Sequence, residues 1–175
     1  MPTIFSHAVA ALAVGPALPH AVRSPRLWAL AAFCAVAPDL DVVAFRFGIP
    51  YEHPLGHRGA SHSLAFAALL AAALGWLFYR RSAHRAAVGA FLFAATASHA
   101  LLDMLTDGGL GVALFAPVSN ARLFFPWRPI EVSPFGAGIW SARGVEVLLS
   151  ELAWVWAPSA VLAFALLLWR RRRRA

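Results

Sequence analysis

The chain contains no lysine and a single cysteine, Cys34, among its 175 residues. One thiol excludes an internal disulfide, and inside an apolar run it reads as a small packed hydrophobe. Charge is scarce: 13% of residues are charged and 61% are hydrophobic. Soluble domains carry about 25% charged residues, so this composition argues against one. Alternation of β-branched and polar residues is missing, which removes the usual signature of strands. There is no internal repeat, and no low-complexity segment beyond a terminal arginine run. No basic stretch precedes the first apolar segment, which carries His7 and two prolines, so the N-terminus is expected to be retained rather than cleaved as a signal peptide.

What remains is apolar sequence punctuated by arginine. The net charge of +7 comes from 15 arginines set against 8 acidic residues. A nucleic-acid binder can be this basic. Here, however, Arg170 to Arg174 form one run directly behind the apolar segment Ala160–Trp169, which reads as a cytoplasmic stop after a membrane span; no nucleic-acid partner is expected.

Apolar runs approach the ~20 residues that cross a bilayer. Five spans are expected: Ile4–Val22, bent or ended by Pro16 and Pro19; Leu27–Ala37, with a continuation past Pro38 to Phe45; Ser63–Tyr79; Ala86–Thr106; and Val145–Trp169. Alanine, leucine and phenylalanine dominate them, so helices are expected, giving an all-α, polytopic membrane helix bundle in one domain over residues 1–175. A loop rich in glycine, proline and aromatics occupies 107–144, and residues 170–175 form a basic tail. Phe124-Phe125-Pro126-Trp127 suits the headgroup interface.

Orientation follows from the arginines. With Arg170–Arg174 cytoplasmic, Arg23, Arg26, Arg80, Arg81 and Arg85 are cytoplasmic as well, and the N-terminus faces out. This places every acidic residue in the outer half or the outer loops, together with His7, His53, His57, His62 and His99. Only His20 and His84 fall on the inner side.

Polar groups so dense at a membrane boundary need a reason, because an unpaired one facing hydrocarbon costs several kcal/mol, on the order of 2–7. His99 and Asp103 are spaced i,i+4 on the fourth helix, so they share a face and read either as ligands of one cation or as a hydrogen-bonded pair. Asp39 and Asp41 follow Pro38. In an extended or turn conformation both would point to one side, serving one site or a solvated helix end. His57 and His62 flank Gly59, Ser61 is placed to cap the third helix with Ser63 as alternative, and Arg58 offers a forked cation for a carboxylate or a phosphate. His7 sits at the start of the first helix. The expected ligand set is His7, Asp41, His57, His62, His99 and Asp103, with Asp39 as a general base or further ligand. Imidazole and carboxylate suit zinc, or manganese or iron, and so many ligands allow one ion or two. In a two-metal site the ions clamp the attacking and leaving oxygens of a phosphoryl displacement.

His7, Pro38-Asp39-Leu40-Asp41, His57-Arg58-Gly59-Ala60-Ser61-His62-Ser63 and His99-x-x-x-Asp103 resemble, in order and spacing, the YdjM-like family of inner-membrane metal-dependent hydrolases. The loop from Asp107-Gly108-Gly109 through Pro117 to Phe125-Pro126 resembles it too. A weaker likeness, in ligand order only, links the chain to zinc-dependent phospholipase C and P1 nuclease, with Glu131 as the last ligand. The resemblance implies a membrane-bound, metal-dependent hydrolase in a bacterial or archaeal inner membrane. By the weaker likeness its substrate is a phosphoester in a lipid or lipid-linked molecule, with Arg58, Arg122 and Arg128 as candidates to hold the phosphate. For Arg122 and Arg128 anchoring to anionic lipid is the alternative. Glu146 and Glu151 read as partners behind the ligands or as helix N-terminal acids. The competing functional reading is a metal-ion or small-solute transporter, although transport sites lie near the midplane and this cluster lies toward one face. A non-catalytic scaffold is the other.

Overall fold

Apolar residues without alternation gave helices throughout: every regular element among the described residues is helical. The computed structural model describes residues 1–134 and 141–173; positions 135–140 of the expected outer loop, and Arg174 and Ala175 of the tail, lie outside the described residues.

The first helix, α1 (Ile4–Ala13), stops before Pro16, and 3-10 turns at Gly15–Ala17 and His20–Val22 carry the chain around. The second helix, α2 (Pro25–Val36), begins where Ser24 accepts a hydrogen bond from the Leu27 N–H and proline fills the first turn. Pro38 has no N–H to continue the α-helical ladder. The backbone there tightens into a 3-10 helix, Ala37–Phe47, that ends at Gly48 with φ 73°. Runs of this type seldom exceed 3–4 residues, so an 11-residue example marks a segment held in place by its neighbours. Helix α3 (Leu64–Tyr79) is capped by Ser63, whose hydroxyl accepts from Phe66 N–H at 3.0 Å. Of the two candidate caps, Ser63 therefore takes the role, and Ser61 is used elsewhere. Helix α4 covers Arg85–Met104, and α5 (Ala142–Glu151) continues through a π-helical turn, Leu152–Trp156, into α6 (Ala157–Arg172).

Three helical stretches are long and apolar enough to cross a membrane: Pro25–Phe47, Arg85–Met104 and Ala142–Arg172. Ile4–Ala17 and Leu64–Tyr79 are shorter apolar helices. The five expected helices are thus present, but with unequal reach. Helix α4 is the centre, packed on α1, α2 and α3. The core around it includes Ala11, Ala31, Cys34, Ala35, Ala71, Val88, Leu92 and Ala95. Small side chains let helix backbones approach closely where lipid offers no competing hydrophobic force. The α5–α6 stretch is peripheral: 6% of its apolar window is buried inside the protein, against 56% for α4. It is fastened at its first half by Glu151, which accepts hydrogen bonds from Thr3 N–H and from the Thr3 and Ser6 hydroxyls, and by Trp156, which donates to Ser6 Oγ at 2.7 Å. Glu151 therefore satisfies the start of α1, one turn before His7.

Connectivity puts the starts of α1 and α3 and the ends of the 3-10 segment and α4 at one end of the bundle. The turn residues Arg23, Arg80 and Arg85 and the end of α6 gather at the other.

Candidate metal centre

Four residues from three segments converge at the first of these ends. Asp39 (3-10 helix), His62 (the turn before α3), His99 and Asp103 (both α4) each offer one ligand atom, all within 4.8 Å of one another. His62 Nε2 lies 3.1 Å from His99 Nε2. Asp39 Oδ1 is 3.6 Å from the first and 3.3 Å from the second, and Asp103 Oδ2 is 3.5 Å and 3.9 Å from them. His62, His99 and Asp103 are buried, and only the Asp39 side chain, 13% exposed, reaches toward solvent.

The second nitrogen of each imidazole fixes its tautomer. His99 Nδ1 lies 2.7 Å from the Ala35 carbonyl, which only a protonated nitrogen can satisfy. His62 Nδ1 lies 3.1 Å from Asp41 Oδ2 and 3.0 Å from Ser61 Oγ. With Nδ1–H of both rings directed outward, two Nε2 lone pairs face each other and two carboxylates across about 3 Å, an arrangement that repels unless a cation stands between them. Burial opposes charge on His62, yet Asp103, Asp39 and Asp41 outweigh it and hold its pKa up at about 10.

The polar atoms left over point the same way. Both oxygens of Asp39, both oxygens of Asp103 and both nitrogens of His7 are buried without a hydrogen-bond partner, and have only ion-pair contacts within the cluster and to Arg58. Buried polar groups are almost always satisfied, so these orphaned donors fit a bound divalent ion. His7 stacks on His99 with centroids 3.7 Å apart and brings Nε2 to 3.7 Å from Asp103 Oδ1. It stands beside the four-residue set.

Asp41 does not share a face with Asp39 as an extended or turn conformation would require. On a 3-10 helix, residues two apart lie about 120° apart around the axis. Asp41 turns instead to His57 Nδ1 (2.7 Å), His62 Nδ1, the Ser61 hydroxyl (2.5 Å) and the Arg58 N–H (3.2 Å). Asp41, His57 and His62 form a second group with metal-ligand spacing. His62 belongs to both groups, one through each nitrogen. The carboxylate–histidine contact is also the arrangement that orients a metal-bound imidazole from behind.

Arg58 is the strained residue of the motif. Its φ is 61°, rare for a side chain of this size. It is buried, with Nε 2.9 Å from Asp103 Oδ2, Nη1 donating to Gly108 O at 2.8 Å and Nη2 to Thr106 Oγ1 at 3.0 Å. Gly59 matters for space rather than for a left-handed turn. A Cβ there would lie 2.2 Å from the Pro54 carbonyl oxygen.

The structure does not gather the remaining candidates. Glu131 pairs with Arg143, and its N–H bonds to Ser150 Oγ, so its carboxylate is committed outside the cluster. Arg128 lies over the Phe124 ring. Arg122 donates to the carbonyls of His57 (3.0 Å) and Tyr51 (2.8 Å), which makes it a clamp on the loop that carries the motif. Glu146 sits at the start of α5 beside Arg143. Sequence reading missed Tyr51, whose ring lies 5.2 Å from that of His57 and whose hydroxyl pKa burial raises. It also missed Thr106 and the Ala35 carbonyl. Thr106 acts through its hydroxyl and Ala35 through its backbone carbonyl, and spacing reveals neither. A cavity of about 290 Å³ lies against Arg58 and His57, walled by Phe45, Tyr51, Gly109 and Val132.

Comparison with known proteins agrees with this arrangement in its coarser terms. No solved structure matches the chain. It is 41% identical over 176 residues to the inner membrane protein YbcI of Escherichia coli (strain K12), covering 98% of this chain and 100% of the relative. The YdjM inner membrane protein family matches residues 1–174. A whole-length match of this kind, on a helical chain with membrane-length apolar helices and a buried histidine–aspartate cluster, places the protein in the YdjM inner membrane protein family.

Proposed function

We propose that the protein is a membrane-embedded, metal-dependent hydrolase acting on a phosphoester in a lipid or lipid-linked substrate. The observation that carries the reading is the convergence of two imidazole lone pairs and two buried carboxylates with no internal counter-cation adequate to them. Asp39, His62, His99 and Asp103 would hold the ion, with His7 alongside. Asp41 and His57 form the layer behind, with the spacing for a second ion. Zinc fits this donor set, with manganese or iron as alternatives. A divalent cation there supplies a Lewis acid for a phosphoryl oxygen and lowers the pKa of a bound water.

The chain's own groups do the rest. Asp39 lends one oxygen to the set, and its other, unpartnered oxygen is placed to accept a proton from the attacking water. Arg58 steadies Asp103, and Nη1 and Nη2 each carry a second N–H beside the cavity through which the phosphate reaches the site. Phe45 and Tyr51 on its wall suit an apolar portion attached to that phosphate. A transporter has less support, because the inner half of the bundle carries no matching polar path among the described residues.

Protein purified in mild detergent is expected to carry a transition metal at one or two per chain, and to hydrolyse one or more members of a panel of lipid phosphoesters. Chelation removes the activity and the metal restores it. Metal-loaded protein that moves the ion across vesicles and hydrolyses nothing would sink this reading in favour of a carrier.

The reading includes orientation, with the site and N-terminus outside and the arginine-rich end of α6 in the cytoplasm. A green fluorescent protein fused after Ala175 is expected to fluoresce and an alkaline phosphatase fused there to stay inactive. The opposite pair of results reverses the topology.

A further inference from the structure

Helices α3 and α4 pack side by side, yet near the turn that joins them a groove of about 510 Å³ stays open. Residues three and four apart share a helix face, so Ala72, Gly75 and Trp76 line one bank and Ala86 and Gly89 the other. Small residues in membrane helices ordinarily let two backbones approach. These two glycines leave room instead. A Cβ at Gly89 would meet nothing within 4 Å, and one at Gly75 would meet only the Gly89 Cα, at an ordinary 3.9 Å. Glycine weakens a helix relative to alanine, so two of them facing open space fit a molecule from outside the chain.

At the turn the groove becomes basic. Arg80 lies over the Trp76 ring at 5.0 Å, Arg85 opens α4, and no acidic side chain lines the groove among the described residues. Helix α4 starts there with no side-chain cap and no acid in its first turn, so the positive end of its dipole adds to the two guanidiniums. At helical rise, Arg80 to Ala72 spans about 12 Å. One leaflet's share of a ~30 Å hydrocarbon core is roughly 15 Å, so the groove fits within a single leaflet.

We propose that this groove holds an anionic phospholipid of the leaflet on the arginine side. Its phosphate lies at Arg80, Arg85 and the start of α4, and one acyl chain lies on the small-residue floor. Forked guanidiniums suit phosphate oxygens, and basic pockets between membrane helices take lipid headgroups. A second copy of the chain is disfavoured as the occupant. A two-fold axis along the membrane normal would bring the same arginines of both copies together, and like charges oppose that. The proposal does not depend on the hydrolase reading.

The test is titration of the detergent-purified, delipidated full chain with phosphatidylglycerol or phosphatidylcholine, with retained lipid and subunits counted by native mass spectrometry. Phosphatidylglycerol is expected to be retained in preference to phosphatidylcholine. Arg80→Gln and Arg85→Gln each remove a charged donor and should lower its affinity about 10–100-fold. Arg81→Gln, in the same turn but outside the groove, should lower it no more than about fivefold, as for any basic residue near an anionic surface. Gly89→Leu keeps every charge and fills the groove, and should lose the lipid as Arg85→Gln does. Leucine favours a helix over glycine and meets open space there, so this variant is expected to fold; the exposed Arg85 covers the case in which it does not. Equal loss from Arg81→Gln, unchanged retention by Gly89→Leu, no preference between the two lipids, or a lipid-free dimer broken by Gly89→Leu would each overturn the assignment.

Discussion

His99→Ala is expected to purify with its metal content reduced to background, and with no phosphoester hydrolysis. Loss of a group behind a ligand already costs about 10–100-fold in metal affinity. His99 offers Nε2 directly to the set and lies closer to Asp39 than His62 does, so its loss should exceed the upper end of that range. The substitution also leaves the Ala35 carbonyl without its imidazole donor, at a cost of about 1–3 kcal/mol. His99→Gln separates the two effects, since its amide can still donate to that carbonyl while imidazole ligation is gone. The pair is checked by elemental analysis and thermal unfolding: both variants should lack metal, and only the alanine variant should be markedly less stable. Undiminished metal in a folded His99→Ala protein would place the ion elsewhere.

The second large effect is on stability. Arg58 and Asp103 are buried together, at 1% and 0% side-chain exposure and 2.9 Å apart. Removing one partner of a buried pair strands the other, typically at about 3–5 kcal/mol. Arg58→Ala is therefore expected to destabilise the protein by roughly that amount. It further removes the guanidinium donors to the Gly108 carbonyl and to the Thr106 hydroxyl, which keeps its own bond to the Asp103 carbonyl. Arg58→Lys keeps the charge but not the fork that reaches three acceptors at once, and should recover only part of the loss. Chemical unfolding in detergent measures both. Equal stability of Arg58→Ala and the unaltered protein would mean that Asp103 has no need of the guanidinium.

Much of this site could be read from spacing. His99 and Asp103 share a helix face because any α-helix places i and i+4 together, and the motif His57 to His62 announced itself by density. The fate of the aspartates was hidden, because it depends on a 3-10 helix. The sequence shows Pro38 but not that the tightened backbone continues to Phe47 and sends Asp39 and Asp41 to different groups that share only His62. Ser61 and Ser63 are equivalent as letters. Only the packed turn shows that one caps α3 while the other binds Asp41. Arg122, which sequence offers as a phosphate candidate or an anchor to anionic lipid, braces the His57 and Tyr51 carbonyls, a use that leaves no trace in composition. The helices themselves were legible apart from their unequal lengths, which follow from prolines and from where loops fold back over helix ends.

Pro38 carries no chemistry of its own, yet the change from α-helical to 3-10 backbone around it governs that of a neighbour. In a 3-10 turn the Ala35 carbonyl would look for the amide hydrogen of residue 38, and proline has none. That oxygen instead receives the proton on His99 Nδ1. A pyrrolidine ring on a segment packed directly against α4 thereby selects which nitrogen of an imidazole is left bare, and a residue that binds nothing decides what its neighbour can bind.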